Sequence, residues 1–188
     1  MSVKSVCVFC GSRMGGHEKF RKLAAAAGSG LAARGVTVVY GGGALGLMGI
    51  VSNAALDAGG KVTGIIPTFL RHAEVQHMRL TRAIITNSML DRKRAMIDLS
   101  DAFLILPGGL GTLDELFEVL TWRQLGQLDK PMVLVGEDGF WQPYLDLIEH
   151  TIAQEFASAS IRDLCTITDN LEAAFGALGL AESRASQG

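Results

Sequence analysis

Cysteine and proline are scarce in this chain, and long apolar runs are missing. Three cysteines in 188 residues are too few for a disulfide scaffold and fit a reducing, cytoplasmic compartment. The apolar stretches fall far short of the roughly 20 residues a membrane helix needs, so no membrane association is expected. Met1 is followed by a short polar run and a strand-like segment, not by the apolar core of a secretory signal. An excess of positive charge is also missing. The net charge of −2 argues against the broad basic face of a nucleic-acid binder. Any anion site must then be local.

Apolar residues are plentiful, at 48% of the chain. A domain of this size buries roughly 70% of the surface its unfolded chain exposes. Residues 1–180 therefore read as a single domain, and the small, polar tail at 181–188 reads as frayed. Glycine is also abundant, at 23 residues, and it is clustered in specific turns.

Short β-branched runs alternate with longer helical stretches. Strands are expected over 5–11, 36–40, 61–66, 83–86, 102–106, 132–135 and 164–167. Helices are expected over 18–34, 47–58, 88–99, 112–125, 140–156 and 171–178. The strands are continuously apolar, as in a parallel sheet buried on both faces. The alternation gives an α/β fold: a Rossmann-like, doubly wound, mainly parallel sheet flanked by helices. Strand order cannot be read from this pattern. The segment 68–82 has no clear period and reads as a loop over the site.

Ligands of such sheets bind beyond the carboxyl ends of the strands. Three glycine-rich turns fall there: Cys10-Gly11-Ser12, the run GGGALGLMG at 41–49, and PGGLGT at 107–112. Glycine lets backbone approach a ligand closely, and free N–H groups at the next helix start attract phosphate. A phosphorylated ligand is expected. Arg92 and Lys93 lie near the start of the helix at 88–99, where cations oppose the helix dipole and Asp91 offsets only part of the cost. That helix should start at the ligand edge, with Arg92 or Lys93 near Gly108–Thr112, where an Arg offers a planar fork of donors. Arg94 reads as a solvated position.

Glu115 has two readings. With Thr112 as N-cap it completes a capping box. The same position also points a carboxylate toward the helix start, where it can accept ribose hydroxyls or stabilise a cationic sugar. Asp114 projects about 100° away around the helix and cannot pair with it, which excludes a two-carboxylate glycosidase arrangement within the motif. Cys7 and Cys10 face opposite sides of one strand, and the four histidines show no metal-ligand spacing. No G-x-G-x-x-G follows the first strand, and no P-loop pattern occurs.

Taken together, PGGLGTLDE (107–115), SMLDRKRAM (88–96), CVFCGS (7–12), VVYGGGALGLMG (38–49) and ELFEVLTWRQLGQLDKP (115–131) resemble the LONELY GUY (LOG) family of cytokinin-activating phosphoribohydrolases. The likeness runs from about residue 6 to 167. It rests on the family's P-G-G-x-G-T-x-x-E signature and its M-H-x-R-K segment, in which Leu90 stands here for the usual His. Some members were long labelled lysine decarboxylases. The resemblance implies a homodimer without metal or organic cofactor, acting on adenosine 5′-monophosphate or its isoprenoid-substituted forms to release free base and ribose 5-phosphate. It places the family's essential Arg and Glu at Arg92 and Glu115, and its phosphate loop at Gly108, Gly109, Gly111 and Thr112. Gly11, Ser12, Gly42, Gly43, Met89 and Lys93 complete the expected substrate contacts. A carrier or sensor of a phosphorylated ligand is the alternative, since fold and loops serve it equally. A pyridoxal enzyme would need a Schiff-base lysine with a pyridinium partner, and none of the six lysines has such a setting.

Overall fold

The computed structural model describes residues 2–71 and 75–180. The tail at 181–188, expected to be frayed, lies outside the described residues, as does His72. The elements run β1 (Ser5–Phe9), α1 (Glu18–Ala33), β2 (Thr37–Tyr40), α2 (Gly46–Asp57), β3 (Val62–Pro67), β4 (Arg82–Thr86), α3 (Met89–Asp98), β5 (Ala102–Ile105), α4 (Leu110–Gln124), β6 (Met132–Val135), α5 (Gln142–Ala153), β7 (Thr166–Thr168) and α6 (Leu171–Ala177). The expected α/β alternation is present. Short 3-10 helices at Thr68–Leu70, Glu137–Gly139 and Ala159–Leu164 were not expected. The last helix but one is shorter than 140–156, starting at Gln142 with a proline in its first turn.

The strands form one sheet in the order β4-β3-β2-β1-β5-β6-β7, and all neighbours are parallel. Alternate residues of each strand feed two cores. Val6, Val8, Val38 and Leu104 pack under α1, α2 and α6. Cys7, Phe9, Val39, Phe103 and Ile105 pack under α3, α4 and α5. Each fully buried side chain of this kind contributes about 1.5–3 kcal/mol. Close approach of α1 to α2 needs Gly28, where a Cβ would overlap the Val51 carbonyl. No helix among the described residues is long and apolar enough to cross a membrane.

From β1 the chain moves outward through β2 and β3 to β4, then returns to β5 on the other side of β1. The strand order thus reverses between β1 and β5. A crevice opens at such a switch point, beyond the carboxyl ends of the two strands.

Candidate functional site

The turns leaving β1 and β5 are bolted together at this crevice. Gly11 N–H donates to the Pro107 carbonyl at 3.1 Å, and Leu106 N–H to that of Phe9 at 2.9 Å. A Cβ on Gly108 would overlap the Thr112 hydroxyl and lie 2.9 Å from the Gly11 nitrogen. Above these turns lies a cavity of about 690 Å³, within the range of small-ligand sites. Gly11, Ser12, Met89, Arg92, Gly108, Gly109, Gly111, Thr112 and Glu115 all line it. Gly42, Gly43 and Lys93 are not among its lining residues.

The glycine-rich turns meet different fates. In the turn leading into α2, Leu47 and Met48 donate their N–H groups to the Gly11 carbonyl at 3.0 and 3.3 Å, and Gly49 to that of Leu45 at 3.1 Å. Ala44 N–H donates to Val75 at 2.8 Å, and the Gly42 carbonyl accepts from His77 N–H at 3.0 Å. Gly46 has φ +62°, and a Cβ there would collide with Ser12. The main chain of this turn is committed to the protein's own packing, while Leu47 and Met48 also line the cavity.

The start of α4 is the opposite case. Its N-cap, Gly109, has no side chain to cap with, and the first bond to it comes from Leu113 N–H at 3.0 Å. Among the described residues the N–H groups of Leu110, Gly111 and Thr112 meet no protein acceptor. A Cβ on Gly109 or Gly111 would touch nothing within 4 Å, and neither glycine has positive φ. Protein packing does not require glycine at either position. Open amides at the positive end of a helix dipole suit an anion.

The expected capping box does not form. Gly109 takes the N-cap, so Thr112 is the third helical residue, 4% exposed and packed on Gly108. Glu115 then falls six residues past the cap, one turn too far to complete the box. Its half-buried carboxylate lines the cavity. Its charge is felt below. Burial pushes the Cys10 and Cys7 thiols well above their ordinary range, and the negative Glu115 raises both further. Those cysteines belong to opposite cores, as their spacing implied.

Arg92 lines the same cavity as the loop at 108–112. It is 4% exposed. Its Nε donates to the Ile65 carbonyl at 3.2 Å and its Nη2 to that of Gly41 at 2.7 Å. A buried guanidinium needs such acceptors to offset its lost hydration. Gly41 is indispensable to this docking, because a Cβ there would collide with Nη2. Ser88 caps α3, accepting from Asp91 N–H at 3.1 Å and donating to the Asp91 carboxylate at 2.7 Å, which balances the cations that follow.

Arg92 or Lys93 was expected near the Gly108–Thr112 loop; Arg92 shares its cavity, whereas Lys93 bridges α3 to α4. It pairs with Glu118 at 2.5 Å and Asp114 at 3.1 Å. Burial alone would lower its pKa, but these two carboxylates outweigh that and raise it. Arg94 pairs with Asp98 at 2.8 Å and lies over Trp122. Leu90 is 67% exposed and does not line the cavity.

Sequence reasoning missed several cavity residues. Leu70 comes from the aperiodic segment after β3. Phe20 and Phe140 meet edge to face, with centroids 5.5 Å apart, and line the end nearest β6. Nothing local marks them, because only the strand order brings them together. Arg13 and Met48 are also in the missed wall. No group of three or more potential metal ligands occurs among the described residues.

Fold and site define a Rossmann-like α/β protein with an anion-attracting helix start in the cavity at its switch point. Comparison with known proteins narrows this class. A family model described as "Possible lysine decarboxylase" matches residues 48–178. Over 176 residues the chain is 42% identical to the cytokinin riboside 5′-monophosphate phosphoribohydrolase of Rhodococcoides fascians, covering 93% of this chain and 89% of that protein. It is likewise 42% identical to an Arabidopsis thaliana protein of the same name, covering 86% and 75%. The chain belongs to this family, the LOG family. The molybdenum cofactor binding protein from Rippkaea orientalis shares the fold, with a TM-score of 0.70, 22% identity, and coverage of 95% of this chain and 97% of that one. The decarboxylase label gains no support from the cavity, which no described lysine lines.

Proposed function

We propose that this protein hydrolyses the N-glycosidic bond of adenosine 5′-monophosphate, or of its isoprenoid-substituted cytokinin forms, releasing free base and ribose 5-phosphate. The observation that carries this reading is the row of unclaimed N–H groups at 110–112, on the same cavity as Glu115 and Arg92. The names of the 42%-identical relatives agree with it.

The 5′-phosphate sits on the amides of Gly109–Thr112. Glu115 accepts ribose hydroxyl bonds, and its charge offsets the positive charge that grows at the anomeric carbon as the bond to the base lengthens. Arg92, tied to the ends of β2 and β3, lies beside Met89 and serves the sugar–base end, since the phosphate has its own donors. Water adds to the anomeric carbon, and its proton balances the departing base. The enzyme acts without a metal or organic cofactor. It works in the cytoplasm as a homodimer, a reading supported by its free cysteines and by the exposed apolar Leu110 and Phe117, two turns apart on α4.

Incubation with adenosine monophosphate and chromatography tests the reading directly. Free adenine and ribose 5-phosphate should appear in equal amounts. Tight binding with no adenine released would instead support a carrier or sensor.

A further inference from the structure

Two guanidinium groups line the cavity, Arg92 and Arg13. Arg92 is buried and tied to main-chain carbonyls. Arg13 is exposed on the turn after β1. Other cations near the start of α1 are held by carboxylates: Lys19 by Asp138 at 2.7 Å and Arg21 by Glu18 at 2.6 Å. Among the described residues the Arg13 side chain has no such partner. Its backbone, by contrast, packs closely against two glycines. The Arg13 carbonyl would lie 2.9 Å from a Cβ on Gly11, and its nitrogen 2.6 Å from one on Gly46. Gly11 in turn is bonded to Pro107, just before the open amides. A closely packed stem thus presents an unpaired guanidinium, among the described residues, on the lip of the cavity, one strand away from the helix start that attracts an anion.

We infer that Arg13 closes over the substrate's 5′-phosphate opposite the amides of Gly109–Thr112 and selects phosphorylated ligands over neutral nucleosides. The inference rests on the proposed phosphate seat. Amides supply directed donors but no net charge. A doubly charged phosphate gains most from a full cation facing it, and Arg binds it through two parallel N–H donors. The phosphate is not the reacting group, so Arg13 acts on binding and leaves the chemical step alone.

The test compares wild type with Arg13→Gln and Arg13→Lys, by turnover of adenosine monophosphate and by direct titration with ribose 5-phosphate. Because Arg13 is exposed, all three proteins should fold alike, checked by thermal melts. In Arg13→Gln the KM for adenosine monophosphate should rise about tenfold or more, as for loss of a charge-assisted bond, with kcat within about twofold. Affinity for ribose 5-phosphate should fall by the same factor, and weak binding of adenosine should not change. Arg13→Lys should recover part of the loss. An unchanged KM and ribose 5-phosphate affinity, or an equal loss for adenosine, would overturn the assignment. The titration does not need turnover, so absence of adenine release would count against the hydrolase reading and leave the Arg13 result to stand or fall alone.

Discussion

Two glycine-rich turns leave strands on either side of β1, at 41–49 after β2 and at 107–112 after β5. In composition they look alike. In the first, hydrogen bonds to Gly11, Val75 and His77 occupy the main chain, and missing side chains make room for Ser12 and the Arg92 guanidinium. In the second, three amides at a helix start have no protein partner among the described residues, and two glycines border open space. One turn uses glycine to let protein meet protein. The other leaves room for something that is not protein. Glycine content alone cannot separate these cases; what matters is where each N–H goes and what a Cβ would meet.

The largest expected effect falls on the open side. Glu115→Gln should lower kcat by about 10²–10³, as for removal of one preorganised electrostatic partner, with the melting temperature little changed. Full activity would remove Glu115 from the chemistry. On the committed side, Gly41→Ala should act through structure. A methyl group there collides with Arg92, so stability should fall by about 1–3 kcal/mol and activity with it. If denaturant melts match wild type, the docking of Arg92 on Gly41 is refuted.

Gly111→Ala sharpens the contrast because its two effects have opposite signs. The position is helical, has negative φ and has free space around it. Alanine should therefore stabilise the fold by about 0.5–1 kcal/mol while weakening phosphate binding by crowding the anion seat. A variant that gains stability and keeps its KM would make the open space at 111 irrelevant to the ligand.

The smallest effect concerns His77, whose segment is bonded to the committed turn. Its ring faces Asn53 at 3.1 Å and accepts from Arg79 N–H at 3.2 Å, and Arg79 is paired with Asp57. Burial, and then Arg79, lower the imidazole pKa below its usual 6.5. The unfolded chain thus takes up the proton more readily than the native one. Stability should hold above about pH 6.5, fall as pH drops below it, and level off below the folded value. The loss should vanish in His77→Gln. Identical pH dependence of the two proteins would exclude His77 as the cause.

Much of the fold was legible because short, continuously apolar β-branched runs alternate with longer Ala- or Leu-rich helical stretches. The order β4-β3-β2-β1-β5-β6-β7 was not, since each strand is buried on both faces and carries no mark of its neighbour. The open turn at 107–112 was legible in its glycines, but the capping box was misread. Thr112 and Glu115 satisfy that pattern locally, and only the backbone reveals that Gly109 had already taken the cap. Arg92 was legible as a functional candidate, while its destination on β2 and β3 depended on a tertiary contact made possible by Gly41. Lys93 turned to α4 because Asp114 and Glu118, distant in sequence, stand opposite it.

The central claim is that the amides at 109–112, and not those at 42–49, receive the phosphate. Titrating Glu115→Gln with adenosine monophosphate while following backbone amide resonances tests this directly. The N–H signals of Gly109, Leu110, Gly111 and Thr112 should shift most, those of Ala44, Leu47 and Met48 far less. Large shifts confined to 42–49, with 109–112 unmoved, would contradict the account.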